Sequence, residues 1–171
     1  VADICEEALE FPSEVYVMNL DTGTLKNISQ DTTRRDSSLG WSPDGQTLTY
    51  VSLSTESILY AYDHSAQERT VVLDDIEVIS GLPEWSADSR YLGIYGQFER
   101  GVLGESQVYV WDRETNRLES INEIGLWSSD VFWSPAANQL LYRGRQSDDG
   151  RMFIWNANDG TTLELPERSE D

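Results

Sequence analysis

Apolar and polar residues alternate along much of this chain with a period of two, in short runs cut by Asp, Asn, Gly and Pro. Leu48, Tyr50 and Ser52 alternate with Thr47, Thr49 and Val51, the pattern of a strand packed between neighbouring layers. Asp44-Gly45 lies between two β-prone runs and predicts a hairpin, because glycine supplies the positive φ of a tight turn. Asp21-Thr22-Gly23, Glu114-Thr115-Asn116 and Asn158-Asp159-Gly160 punctuate the chain in the same way. A helix would need apolar residues at a 3.6 spacing over ten or more positions. Only Cys5-Glu6-Glu7-Ala8-Leu9-Glu10 begins such a pattern, and it is short.

The strands repeat. Val15-Tyr16-Val17-Met18-Asn19 recurs as Leu59-Tyr60-Ala61-Tyr62-Asp63, Val108-Tyr109-Val110-Trp111-Asp112 and Met152-Phe153-Ile154-Trp155-Asn156. The aromatic second positions are 44, 49 and 44 residues apart. A second motif keeps step: Gly40-Trp41-Ser42-Pro43-Asp44-Gly45, Glu84-Trp85-Ser86-Ala87-Asp88-Ser89 and Phe132-Trp133-Ser134-Pro135-Ala136-Ala137. Two unrelated signals locked to one period near 45 predict a repeat architecture whose unit is a four-stranded propeller blade.

The unit resembles the WD40-like (PD40-type) repeat of the TolB β-propeller family, which also builds the propellers attached to prolyl-oligopeptidase-type peptidases. Gly40 to Ser52 follows the family pattern closely. The second copy lacks its proline and glycine (Ala87, Ser89), and the third lacks the Asp-Gly turn (Ala136, Ala137). The resemblance covers roughly residues 14 to 165 and implies an all-β propeller fold. It says little about function, since the shared residues build blades and not sites. It also implies a periplasmic or extracellular location.

Strands are expected near 14–20 and 23–29, then in three sets of four at about 37–74, 78–122 and 128–165. The expectation is one β-propeller domain or propeller segment over 1–171, with a partial blade at 1–29, three full blades and a polar tail at 166–171. Counting back from Tyr16 puts the matching Trp before residue 1, so the first blade lacks its innermost strand. An open arc of blades exposes an unpaired strand edge and an apolar flank. A four-bladed ring with an irregular blade, a ring completed by another chain, or a segment of a longer propeller would each resolve this. The chain begins at valine, which favours the longer propeller, whereas the polar Pro166–Asp171 stretch reads as a chain end.

Composition narrows the partners. Net charge is −19 with a pI near 4.1, which argues against nucleic acid or an anionic membrane surface and suits solubility. Lys26 is the one lysine, against eleven arginines. Cys5 is the one cysteine and excludes an internal disulfide. No apolar run approaches a membrane span, so no membrane insertion is expected. Asn27-Ile28-Ser29 fits the N-glycosylation triplet, a pattern frequent by chance.

A search for chemistry returns little. Gly40-Trp41-Ser42-Pro43-Asp44-Gly45 suggests a nucleophile elbow, but its second glycine falls one place late and it opens a hairpin instead of a helix. Ser42 therefore reads as a turn residue. His64, the one histidine, lies in the turn-like Asp63-His64-Ser65-Ala66 and reads as solvated. No Cys/His spacing fits zinc and no Gly-rich loop leads into a helix, so no metal or cofactor is expected. Asp74-Asp75 with Glu77, Asp148-Asp149 and Asn156-Ala157-Asn158-Asp159-Gly160 offer oxygen ligands without a full calcium-loop spacing, and read as solvated turns. The chain is expected not to be an enzyme.

The loop face is more informative. Connections between blades, and between second and third strands, emerge on one side: 30–38, 53–57, 74–79, 96–106, 122–128 and 144–151. Gln30–Asp36 sets Arg34 and Arg35 among polar and acidic groups. The stretch 96–105 carries the whole extra length of the 49-residue interval, with Phe98, Arg100, Val102 and Leu103 hinged by three glycines. Trp127 lies outside the repeat phase. Arg34, Arg35, Phe98, Arg100 and Trp127 are thus the candidate partner-binding residues, Trp and Arg being typical hot spots. The expected function is a non-catalytic binding or scaffolding module that takes a protein or cell-envelope ligand on this face. The alternatives are part of the substrate-gating propeller of a prolyl-oligopeptidase-type serine peptidase, or a structural subunit whose edges self-associate or pair with other chains.

Overall fold

The structure is a computed structural model that describes residues 12–54, 57–79, 82–98, 106–121, 127–145 and 150–166. The chain divides into two compact units, Val1–Asp75 and Ile76–Asp171. All the regular structure in the described residues is β.

The first unit opens with β1 (Tyr16–Met18) and β2 (Leu25–Asn27), an antiparallel pair in which Val17 faces Lys26. A meander follows: β3 (Arg35–Trp41), β4 (Thr47–Leu53), β5 (Ser57–Asp63) and β6 (Glu68–Ile79). In the second unit come β7 (Glu84–Trp85), β8 (Tyr91–Phe98), β9 (Ser106–Asp112) and β10 (Arg117–Ser120), then β11 (Trp127–Trp133), β12 (Gln139–Arg145), β13 (Gly150–Asn156) and β14 (Thr162–Glu164). Each set of four pairs antiparallel in chain order, which makes three full blades and the third and fourth strands of another. The register repeats as faithfully as the sequence. Trp41 faces Leu48, Trp85 faces Leu92 and Trp133 faces Leu140.

One connection differs from expectation. Residues 74–79, anticipated as a loop, continue β6, and Ile76, Val78 and Ile79 pair with β8 inside the second unit. No Gly or Pro interrupts Glu68–Ile79, and Asp74-Asp75 alone does not turn an otherwise β-prone run. The innermost strand of that blade is therefore made in two pieces, Ile76–Ile79 and β7, both on β8, with Pro83 in the break between them.

The turns explain the motifs. In the first, the Ser42 amide donates to Thr47 O at 2.8 Å, and the buried Ser42 hydroxyl accepts from the Thr47 amide at 2.9 Å while donating to Asp44. Ser86, Tyr91 and Asp88 repeat this arrangement, the Ser86 Oγ lying 2.9 Å from the Tyr91 amide and 2.6 Å from Asp88 Oδ1. Gly45 and Ser89 take the positive φ that closes each turn, 68° and 64°. The strand-ending Asn19, Asp63, Asp112 and Asn156 each accept backbone N–H groups on the side chain, an Asx turn. Four residues on, Gly23, Gln67, Asn116 and Gly160 lie at positive φ between 53° and 71°.

Each unit has its own core. In the first, Val15 and Ile28 of the two-stranded pair pack on Leu48, Tyr50 and Tyr62. In the second, Tyr91, Val108 and Val110 meet Val131, Leu140, Tyr142 and Trp155. Tyr91 stacks on Trp133 at 5.7 Å, and Trp155 meets both rings edge-on. Each fully buried side chain of this kind contributes on the order of 2 kcal/mol. Not every repeat aromatic is cement, however: Tyr16 and Trp41 remain 55% and 43% exposed.

Candidate functional site

The residues that look reactive in the sequence are committed to structure. Ser42 and Ser86 are buried in their turns, and Ser29 of the Asn27-Ile28-Ser29 triplet is buried with its hydroxyl accepting from the Val15 amide at 3.0 Å. His64 sits exposed in the turn after β5 with its ring edge-on to Trp41 at 6.2 Å. Among the described residues no three His, Cys, Asp or Glu side chains gather as a metal site.

Of the candidate partner-binding residues, the four within the described residues fall at blade ends. Arg35 begins β3, Phe98 ends β8 and Trp127 begins β11. Innermost strands start, and second strands finish, at the same end of a blade, so each of these lies at the corresponding end of its own blade. Arg34 precedes β3 and is anchored, with Nε 2.8 Å from Ser52 Oγ and Nη2 3.1 Å from Ser52 O. Arg35 is exposed. Arg100 lies outside the described residues. Beside Arg34, the Thr33 hydroxyl and amide both donate to Asp31 Oδ1, which holds that carboxyl below its ordinary range.

Two features escaped the sequence reading. The first is a buried polar pair in the first unit. Both carboxylate oxygens of Asp36 are buried without a hydrogen bond among the described residues, and the Tyr50 hydroxyl, two residues along the neighbouring strand from the cross-strand partner Ser52, is buried beside the Arg69 guanidinium. Burial pushes the Tyr50 phenol up, opposed by the nearby Arg69 guanidinium, which itself donates to Ser29 O at 2.6 Å and lies over the Tyr60 ring. The second is a groove of about 280 Å³ between β1 and the β3–β4 face, bordered by Tyr16, Met18, Gly40, Trp41 and Leu48. Nothing in a linear pattern marks either, because both depend on neighbours distant in the sequence.

One ionic cluster lies in the second unit. Arg90 grips Asp112 with Nε at 3.2 Å and Nη2 at 2.8 Å, reaches Glu114 at 3.1 Å, and covers the Tyr91 ring. The Arg90 hydrogen bonds hold the Asp112 carboxyl below its ordinary value, against its partial burial. A carboxyl depressed in the folded state contributes stability above its unfolded pKa of about 4, and that contribution is lost as pH falls through the folded value. Asp112→Asn is therefore expected to be less stable than the parent at pH 7 and to lose less between pH 5 and pH 3. Denaturant midpoints at these three values check this, and parallel pH profiles would refute it.

Three blades of Trp-Ser hairpins and Asx-closed strands, with part of a fourth, define the fold as that of the TolB-like β-propellers. No known family profile matches the chain. Among solved structures it is similar to a putative TolB from Agrobacterium tumefaciens, with a TM-score of 0.58 and 20% identity, over 91% of this chain and 57% of that one. It is also similar to the β-propeller domain of the Trilobed protease from Pyrococcus furiosus, described as having an open velcro topology, with a TM-score of 0.65 and 18% identity over 90% of this chain and 48% of that one. Among curated proteins, Dipeptidyl-peptidase 5 of Porphyromonas gingivalis is 28% identical over 146 residues, 82% of this chain. The chain spans 20% of that relative's length and about half of the two structures.

Proposed function

We propose that this chain is a propeller segment that acts as a non-catalytic binding or scaffolding module outside the cytoplasm, taking a protein or a cell-envelope polymer at its blade ends. The observation that carries the proposal is the division of labour within the repeat. The serines, acids and asparagines common to the copies are used in turns, while the blade-end residues Arg34, Arg35, Phe98 and Trp127, and Arg100 in the sequence between β8 and β9, differ from copy to copy. Rigid blades present these ends, and Arg35 supplies an exposed cation on an otherwise acidic chain.

A second reading, the substrate-gating propeller of a prolyl-oligopeptidase-type serine peptidase, is favoured by the similarity to Dipeptidyl-peptidase 5. The test is capture from an extract of the source organism, with Phe98→Ser and Arg100→Ser combined. Capture is expected to fall at least tenfold. Unchanged capture would overturn the blade-end assignment. Dipeptide release from fluorogenic substrates by the whole gene product would favour the peptidase reading.

A further inference from the structure

Within each unit an outer strand meets the next blade across a seam, and the two seams are filled differently. Register places Lys26 of β2 opposite Val17 and Glu119 of β10 opposite Val110, matching positions of the repeat. Lys26 crosses its seam: Nζ donates to the Tyr62 hydroxyl at 3.0 Å and to Gln67 Oε1, and it lies over the Tyr62 ring. In the second unit the counterparts of Tyr62 and Gln67 are Trp155 and Gly160, and an acid stands in place of the lysine. Gly160 has no side chain and Trp155 is buried in the core, so among the described residues nothing crosses to Glu119. A pocket of about 240 Å³ remains there. It lies where β8 starts and β9 finishes, at the blade end opposite Phe98 and Trp127.

The lining of this pocket divides into an apolar floor, a satisfied ion pair and two open charges. Tyr91, Val110 and Ala157 form the floor, the first two buried and the third packed on the same core. Arg90 and Asp112 form one side and neutralise each other. Arg90 bonds Asp112 through two nitrogens and reaches Glu114, while Asp112 also accepts from the Glu114 amide. Arg117 and Glu119 are exposed at the rim, and neither side chain has a hydrogen bond or ion pair among the described residues. Two positions apart on one face of β10, they are rooted roughly 7 Å from each other. What the pocket offers a ligand is therefore one guanidinium and one carboxylate above an apolar floor.

We infer that this pocket binds a free α-amino acid with an apolar side chain. The Arg117 guanidinium donates to both oxygens of the ligand carboxylate, the strong bidentate form of such a pair. The ligand ammonium donates to Glu119, and its side chain rests on Tyr91, Val110 and Ala157. An anion alone would bring a second negative charge to Glu119, and a cation alone a second positive charge to Arg117. A ligand with both signs on one carbon meets each group with its opposite. The volume falls below about 300 Å³, the lower end for drug-sized ligands, and suits a single amino acid instead of a peptide. The matching seam of the first unit has Thr24 in place of Arg117 and Lys26 in place of Glu119, so it lacks the site. The inference goes beyond the binding-module reading and uses none of its blade-end residues.

The test is methyl NMR on the full chain, titrated separately with L-leucine, L-leucinamide and N-acetyl-L-leucine. L-leucine is expected to shift the Val110 and Ala157 methyls saturably, with a Kd of about 1 mM. The methyls of Val17, the counterpart of Val110 in the filled seam, should not move. Leucinamide lacks the carboxylate and N-acetyl-leucine lacks the ammonium, so each should bind at least tenfold more weakly. Arg117→Ala and Glu119→Ala replace exposed side chains, and each should weaken L-leucine at least tenfold. Arg117→Ala should also bind leucine and leucinamide equally, and Glu119→Ala should bind leucine and N-acetyl-leucine equally. No saturable shift with L-leucine would overturn the proposal and leave Arg117 and Glu119 as solvated charges. So would leucinamide or N-acetyl-leucine binding the parent as tightly as leucine, or either variant binding leucine as the parent does. Blade-end capture is measured separately, so failure of one assignment leaves the other standing.

Discussion

Replacing Gly93 with valine is expected to destabilise the second unit by about 3 kcal/mol. The residue's backbone does not demand glycine; its surroundings do. A Cβ at this position would stand 3.1 Å from Trp133 Nε1, and 3.3 and 3.6 Å from the two methyls of Leu140. Neither neighbour can yield cheaply. Trp133 is held by the Tyr91 stack and by the edge of Trp155, and Leu140 is fully buried. Thr49, one residue after Leu48 as Gly93 follows Leu92, shows that the strand position itself accepts a β-branched side chain. Gly93→Ala sets two effects against each other. A stiffer unfolded chain favours alanine by about 0.4–1 kcal/mol, and the squeeze on Trp133 opposes it, so its stability should stay within about 1 kcal/mol of the parent. Urea unfolding followed by tryptophan emission measures both, with the slope of the transition expected to hold. A valine variant as stable as the parent would mean that Trp133 and Leu140 are not packed over this strand as described.

The contrast between Gly93 and Thr49 also shows what could be read in advance. Features made within five residues were legible. The Ser-x-Asp hairpins, the Asx turns after Asn19, Asp63, Asp112 and Asn156, and the phase of the blades all follow from chemistry that each segment carries by itself. Features set by distant neighbours were not. Asp36 appears in the sequence as one more polar residue of a basic loop, yet strand pairing with Ser52 buries it. Arg34 looked free to meet a partner, and it reaches Ser52, 18 residues on. Trp41 carries the same motif as Trp133, but among the described residues no ring stacks on it as Tyr91 does on Trp133, and it is 43% exposed. The candidate site was legible only as a set of blade ends. That β1 pairs on one side only among the described residues required the hydrogen-bond directions of Val15 and Asn19.

Ser86→Ala and Ser42→Ala are each expected to cost about 2 kcal/mol, while Ser134→Ala should cost well under 1 kcal/mol. The three serines share one motif, so the difference must lie in what each hydroxyl does. Ser86 is fully buried; its Oγ accepts from the Tyr91 amide at 2.9 Å and donates to Asp88 at 2.6 Å. Alanine leaves that amide without a partner in a place water does not reach. Ser42 makes the same pair of bonds to Thr47 and Asp44. The third copy has Ala136 where the others have aspartate, and among the described residues the half-buried Ser134 hydroxyl accepts from the Ala136 amide at 3.3 Å. Acid response provides a second readout. Burial works to raise the Asp88 carboxyl, but hydrogen bonds from Ser86, the Arg90 amide and Asn138 outweigh it and hold it below its ordinary value. Ser86→Ala removes one of these donors, so the variant should lose less stability than the parent as pH falls from 5 to 3. Equal losses for all three serines, with unaltered acid profiles, would show that the motif acts through backbone turn preference and not through its hydroxyl.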